Sequence, residues 1–456
     1  MKDYTYHPLL LVAGVVTLCF SAYFLPDTAI GNHKMRKADI LSDLRYLPRD
    51  EAVDSIPFFQ PLAKPVFRDS CPEGMTCIAD YSDSLYRGML PFYRAVEELE
   101  SGSRDNVRIA VFGDSFIEGD IITADLREML QNVYGGRGVG FVPITSVVSS
   151  FRQTLHHRFE GWDSHASTDT VYFNSKLQSV SGHYFIPYED AYVEVRGQKK
   201  FGSRLDTFDI ANIYFIAKDS LEIFVSKNKG RENCHRPSTS SLLQRISVRG
   251  PMASIRFKVR EADSSVFYGI TLDGEKGVCV DNFSLRGSSG LSLSGIPGGN
   301  IRQFNKFRPY DLIILQFGLN VATRNGKNYE GYKKGMLHTI KHLKENFPQS
   351  GLLLVSVGDR DYKDENGEVH TMPGIKNLVR YQELIASEAR IAFWNLFEAM
   401  GGDGSMAGLV NNKPPMANYD YTHINFRGGK FIATKLFEVL KHGKSEYIRR
   451  QMYEKD

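Results

Sequence analysis

Val107-Arg108-Ile109-Ala110-Val111-Phe112-Gly113-Asp114-Ser115-Phe116 decides how the rest of the chain is read. An apolar run ends in a turn, and a helical pattern starts at Thr123, so the stretch predicts strand, turn and helix. A serine at the mouth of such a turn is where an α/β protein exposes a nucleophile. The strand is stiff, the turn presents the hydroxyl, and the following helix aims free N–H groups at the reacting atoms. Gly, Asp and Ser are ordinary turn residues, so the tripeptide needs support from elsewhere. Asp420-Tyr421-Thr422-His423 gives it. Of the 12 histidines, only His423 follows an aspartate by three positions. A nucleophilic serine needs a base in hydrogen-bond reach, and the base needs a group that fixes its tautomer. The spacing lets one loop aim Asp420 and His423 at a common pocket, as orienting acid and general base for Ser115.

Acyl transfer also develops charge on a carbonyl oxygen, where each preorganised donor is worth ~3–4 kcal/mol. The predicted strand Asp311–Phe317 ends in Gly318-Leu319-Asn320, which puts an asparagine amide just beyond a strand end. Upstream, Val280–Leu285 reads as a strand closing in a glycine-rich turn with Gly287 and Gly290, where a backbone N–H can approach a ligand closely.

In these residues the chain resembles the SGNH hydrolases, or GDSL esterases, whose four blocks carry Ser, Gly, Asn and Asp-x-x-His in that order. Ser115 fits the first block, Asn320 the third, and Asp420 with His423 the last. Asn282 followed five residues later by Gly287 fits the second, with Gly290 in reserve. Phe116 replaces the Leu of many members, and Val321 replaces an Asp. The resemblance spans about 81–150 and 281–442. It implies a three-layer α/β/α doubly wound parallel sheet and an oxyanion hole built from Ser115, Gly287 and Asn320. No cofactor and no metal is expected.

The pattern agrees with that fold. Apolar stripes at helical spacing follow Thr123, which is placed to cap its helix, and recur at 329–343, 375–388 and 432–440. Leu352–Val357 is continuously apolar, as in a parallel strand buried on both faces. From about 151 to 280 alternation replaces the helical period. Short strands are expected at Val171–Phe173, Ala191–Val195, Ile213–Ile216, Leu221–Val225, Ser254–Val259 and Val266–Ile270. An inserted all-β sandwich, jelly-roll-like and carbohydrate-binding, resembles the arrangement in the peptidoglycan O-acetylesterases.

A net charge of +3 with 24% charged residues leaves no nucleic-acid footprint, and no Cys-x-x-Cys or histidine cluster signals a metal. Leu9–Leu25 is uncharged and about 17 residues long, near the lower limit for a spanning helix. It predicts a signal-anchor or signal peptide (1–26), followed by a tether (27–80) and, at the far end, a charged tail (443–456). With Cys19 set aside in the apolar segment, Cys71, Cys77, Cys234 and Cys279 form an even set of disulfide candidates, consistent with export. The expectation is an envelope-located, membrane-anchored serine esterase, facing the periplasm or exterior, acting on an O-acetylated polysaccharide and first on peptidoglycan. An O-acetyltransferase using the same acyl-enzyme and a non-catalytic glycan-binding protein are the alternatives.

Overall fold

The computed structural model describes 6–23, 29–30, 33–34 and 70–453, except 84–86, 170–171, 261 and 263. The chain divides into two compact units, Met1–Gln60 and Pro61–Asp456. The first holds helix α1 (Tyr6–Tyr23) and a two-stranded ladder of β1 (Ala29–Ile30) and β2 (His33–Lys34). Among the described residues no helix is long and apolar enough to cross a membrane. Leu25, at the end of the expected anchor, and most of the expected tether lie outside the described residues.

The second unit opens with β3 (Ala79–Asp80), α2 (Leu90–Glu100), β4 (Asn106–Gly113) and α3 (Thr123–Tyr134). A β-rich stretch follows: β5 (Gly140–Val142), β6 (Leu155–Ala166), β7 (His183–Gly197), β8 (Phe208–Ile216), β9 (Glu222–Lys227) and β10 (Glu232–His235). It continues with β11 (Gln244–Met252), β12 (Ser254–Arg260) and β13 (Val266–Asp273). The chain then resumes α/β alternation through β14 (Gly277–Ser284), α4 (Gly298–Phe307), β15 (Leu312–Gln316), α5 (Glu330–Asn346) and β16 (Gly351–Val355). A hairpin of β17 (Asp361–Lys363) and β18 (Val369–Thr371) precedes α6 (Pro373–Ala389) and β19 (Ala392–Trp394). Three helices end the fold: α7 (Leu396–Met400), α8 (Ser405–Asn411) and α9 (Phe426–Tyr453).

One sheet has the order β14-β4-β15-β16-β19-β3, parallel except for the edge strand β3. Its central strands are buried on both faces and are correspondingly apolar throughout, Leu312–Leu315 and Leu352–Val355 among them. The register sets Gly113 level with Ser284 on one side and Gln316 on the other. A Cβ at Gly113 would lie 2.8 Å from the Gln316 carbonyl oxygen, so only glycine lets β4 end this close to its neighbour.

The second sheet is antiparallel, nine-stranded and continuous, in the order β10-β9-β12-β7-β13-β8-β11, with β6 on β7 and β5 on β13. It encloses its own core, in which Val193, Phe215, Val225, Phe257, Phe267 and Ile270 are fully or almost fully buried. The sheet starts earlier than expected, at β5, and ends at Asp273, so the boundaries at 151 and 280 shift. Tyr172 and Phe173 do not form the expected strand, and Tyr172 has φ +66°.

The two sheets meet through rings and charges. Phe283 stacks on Phe112 at 4.8 Å and lies 4.8 Å from Phe141 of β5. Arg308 reaches Asp273 of β13 and Asp281 of β14, and the Tyr310 hydroxyl donates to Asp281 at 2.5 Å, all of it buried. Burial works against the Arg308 charge, but the two carboxylates outweigh it and hold the guanidinium well above its ordinary pKa.

The tail expectation is corrected. α9 runs unbroken to Tyr453, and Lys444, Glu446 and Tyr447 are buried, so 443–453 is the last part of a packed helix. Cys71 and Cys77 form a disulfide. Cys234 and Cys279 do not pair, because Cys234 is exposed on β10 of the antiparallel sheet while Cys279 is buried in β14 of the parallel one.

Candidate active site

Three adjacent strands deliver three of the expected residues to one end of the parallel sheet. Ser115 follows β4, Gly287 follows β14 and Asn320 follows β15, and β4 lies between the other two. The carboxyl ends of such strands are where α/β sheets place their sites. α3 begins only at Thr123, after a short 3-10 turn at Glu118–Asp120, so the donors near Ser115 come from the turn and not from the end of α3. Thr123 is not the cap either. Its buried hydroxyl donates to Asp120 at 2.8 Å.

The expected base, His423, arrives on the loop before α9. Ser115 Oγ lies 3.2 Å from His423 Nε2, and His423 Nδ1 lies 2.7 Å from Asp420 Oδ2. The other Asp420 oxygen accepts the backbone N–H groups of Thr422 and His423 at 2.9 and 3.0 Å. Asp420 therefore caps its own loop with one oxygen and orients the imidazole with the other. Burial raises its pKa, but these donors and the imidazole outweigh burial and hold the carboxyl below its ordinary value. Tyr421, inside the loop, has φ +53°. A strained residue of this kind persists only where its surroundings fix it, and here the Asp361 N–H donates to the Tyr421 carbonyl at 3.0 Å.

The residues expected to serve as oxyanion donors are less uniform. Gly287 is exposed with φ +78°, and its N–H has no acceptor among the described residues. Gly290, the reserve, is buried with φ +86°, and a Cβ there would lie 2.8 Å from the Phe317 ring, which makes it a packing glycine. Asn320 Nδ2 donates to the Ser288 carbonyl at 2.9 Å and to Asp114 Oδ2 at 3.2 Å. Both amide hydrogens are engaged, so donation to an oxyanion requires exchanging the longer bond. Asp114 is fully buried, and desolvation pushes its pKa up to about 6 despite the Phe116 amide and the Asn320 side chain.

Asp120, Arg127, Arg152, Glu118 and Arg286 support the site without being expected there from the sequence, whereas Asn282 is matched to the second block. Asp120, buried with φ +65°, accepts from Arg152 Nε at 2.8 Å and from Thr154 at 2.5 Å, with Arg127 at 3.4 Å. Asn282 Nδ2 donates to the Ile117 carbonyl at 2.7 Å and to the Thr123 hydroxyl at 2.8 Å, tying β14 to the nucleophile turn. Arg286 pairs with Glu118 and joins the Gly287 turn to the same segment. The one available signal was Asn282, five residues before Gly287. The Asp120–Arg152 pair left none. Asp364, Glu368 and His370 cluster near the tip of the β17–β18 hairpin, away from these residues in sequence, with His370 Nε2 3.2 Å from Asp364.

No protein-family model and no curated protein matches the chain. Solved structures do. A structure described as "Peptidoglycan O-acetylesterase in action, 5 min" superposes with a TM-score of 0.65 at 18% identity, covering 81% of this chain and 99% of that one. A family two carbohydrate esterase from Cellvibrio japonicus covers 64% and 98% of the two chains, with a TM-score of 0.26 and 10% identity. A salicylyl-acyltransferase from a tetracycline biosynthetic pathway covers 61% and 95%, with a TM-score of 0.27 and 10% identity. The chain thus shares its fold with the first of these, over nearly that protein's whole length. The parallel sheet alternating with helices agrees with the α/β part of the expected fold.

Proposed function

We propose that the chain is a serine esterase that removes O-acetyl groups from an envelope polysaccharide, with peptidoglycan the first substrate to test. The observation that carries this is the relay from Ser115 through His423 to Asp420, at 3.2 and 2.7 Å. In this reading Ser115 Oγ attacks the acetyl carbonyl while His423 Nε2 takes its proton. The tetrahedral oxyanion is held by the Ser115 and Gly287 N–H groups, with the Asn320 amide joining once it leaves Asp114. Collapse expels the sugar alkoxide, which receives the proton from His423. Water, deprotonated by the same imidazole, then attacks the acetyl-enzyme, releases acetate and restores Ser115. Asp420 stays ionised throughout and stabilises the imidazolium.

The shared fold supports the substrate class, and the neighbour's printed description motivates peptidoglycan. We read the antiparallel sheet, with its separate core, as a jelly-roll-like module that handles the polymer. The Cys71–Cys77 disulfide supports export, since such bonds persist in oxidising compartments, and an anchor formed by the N-terminal segment completes the proposed location. The test is acetate release from O-acetylated peptidoglycan and from a panel of acetylated polysaccharides, with and without an acceptor glycan. Acetate release from peptidoglycan without acceptor supports the esterase. Turnover only with acceptor replaces it by a transferase.

A further inference from the structure

A groove of about 610 Å³ opens at the start of β6, between 149–158 and 198–201. His156, Arg158 and Lys200 line it, all three exposed, and no carboxylate lines it. None of the three side chains makes a hydrogen bond or ion pair with a described residue. Glu194 stands opposite Arg158 in the β6–β7 ladder without pairing to it, and His156 faces the exposed Arg196. Other cations of this region are paired: Lys258 and Arg260 share Asp190, and Arg236 holds Glu222.

The groove is joined to the segments that follow both His423 and Ser115. Phe426, three residues past His423, packs against Phe151 at 5.1 Å and against Phe201 of the groove wall at 5.8 Å. Arg152, also in the lining, is bound to Asp120, five residues past Ser115. A polymer presenting an ester to Ser115 and continuing along this wall meets unpaired guanidinium and ammonium groups.

We infer that this groove seats the polysaccharide beside the scissile ester, and that the segment it seats carries carboxylates. The inference rests on the esterase reading and deepens it, by naming the substrate as an anionic glycan. Guanidinium forks match carboxylates in geometry, and Phe201 offers an apolar face to a sugar ring. The carboxylates belong either to sugar acids in the chain or to peptides attached to it.

The experiment measures binding without turnover, using the full chain with Ser115→Ala. Its ligands are labelled peptidoglycan fragments, the same fragments with carboxyls amidated, glycan strands stripped of peptide, and polygalacturonate. Arg158→Glu with Lys200→Glu should weaken binding to untreated fragments by about ten-fold or more. Amidation should do the same to the parent chain, and added salt should erode the difference. Arg158→Gln with Lys200→Gln, checked for native circular dichroism, should give a smaller loss in the same direction. Peptide-stripped strands that lose the charge dependence would assign the carboxylates to peptide, and polygalacturonate that shows it would assign them to sugar. Amidated fragments binding as tightly as untreated ones, or the double Glu variant binding untreated fragments at full strength, would overturn the inference. Wild-type acetate release is read separately, so a groove without charge dependence leaves the esterase standing, and charge-dependent binding without acetate release does the reverse.

Discussion

Asp420 divides its two oxygens between its own loop and His423, so removing it should do more than delete a charge. Asp420→Asn is expected to retain the fold and lower kcat by about 10⁴-fold, because the amide favours the wrong imidazole tautomer. Steady-state kinetics on an activated acetyl ester checks this against Asn320→Ala, expected to cost about 10²–10³. Asp114 gives a prediction in pH. Its carboxyl is shifted from 3.8 to about 6 in the folded chain, chiefly by burial. The folded state therefore binds this proton more tightly than the unfolded one, and the ionised group penalises folding above about pH 6, a penalty relieved as pH falls toward 4. Asp114→Asn should raise stability near pH 8 by up to about 2 kcal/mol, with the gain fading near pH 4. It should also lower turnover by disturbing Asn320. Denaturant melts at the two pH values, beside kinetics, measure both. Ser115 stood out in its strand-turn stretch and Asp420 with His423 in their three-residue spacing, while their meeting across 308 positions was expected only from the order of the resemblance's blocks. Asp114 with Asn320 was not legible, since a contact 206 positions apart follows from strand order and leaves no local trace.

Strands and helices were mostly legible from period, since burial on both faces forces continuous apolar runs in the parallel sheet and alternation in the antiparallel one. Tyr172 and Phe173 misled because aromatic composition mimics a strand, and no described strand pairs with them, while Val171 lies outside the described residues. The final helix was cut short in the reading because its last turns are rich in charge. Lys444 nevertheless packs against Tyr134, its ammonium 5.4 Å from the ring, and pairs with Glu100. Arg308, just beyond α4, left no signal, yet it faces two buried carboxylates. Arg308→Met should therefore destabilise by about 3–5 kcal/mol, the usual cost of leaving buried charge uncompensated. Chemical denaturation of the variant, with Arg308→Lys beside it, checks this, and the lysine should recover only part because it lacks the planar fork.

Across the whole molecule, the sequence showed an α/β frame with a β-rich interruption but not how the two are joined. Phe141, Phe283 and the Arg308 network bridge the sheets. Excising 151–275 should consequently give an insoluble or unfolded product, because it removes Asp273 from the Arg308 network and strips β5 of its partner strand β13. A soluble excision product with native circular dichroism would show the sheets to be independent. At this scale too, the 71–77 disulfide closes a small loop and should contribute less than ~3 kcal/mol, the value for a 15-residue loop. Its oxidised mass in an envelope fraction is the expected result of fractionation and intact-mass analysis. The central claim is that Ser115 carries the acetyl group. Brief reaction of the wild-type chain with O-acetylated peptidoglycan, acid quench and peptide mass analysis should find one acetyl group on the Ser115 peptide, and none in the Ser115→Ala chain, which should release no acetate. Wild-type rates of acetate release from Ser115→Ala, or an acetyl group trapped on another residue, would contradict it.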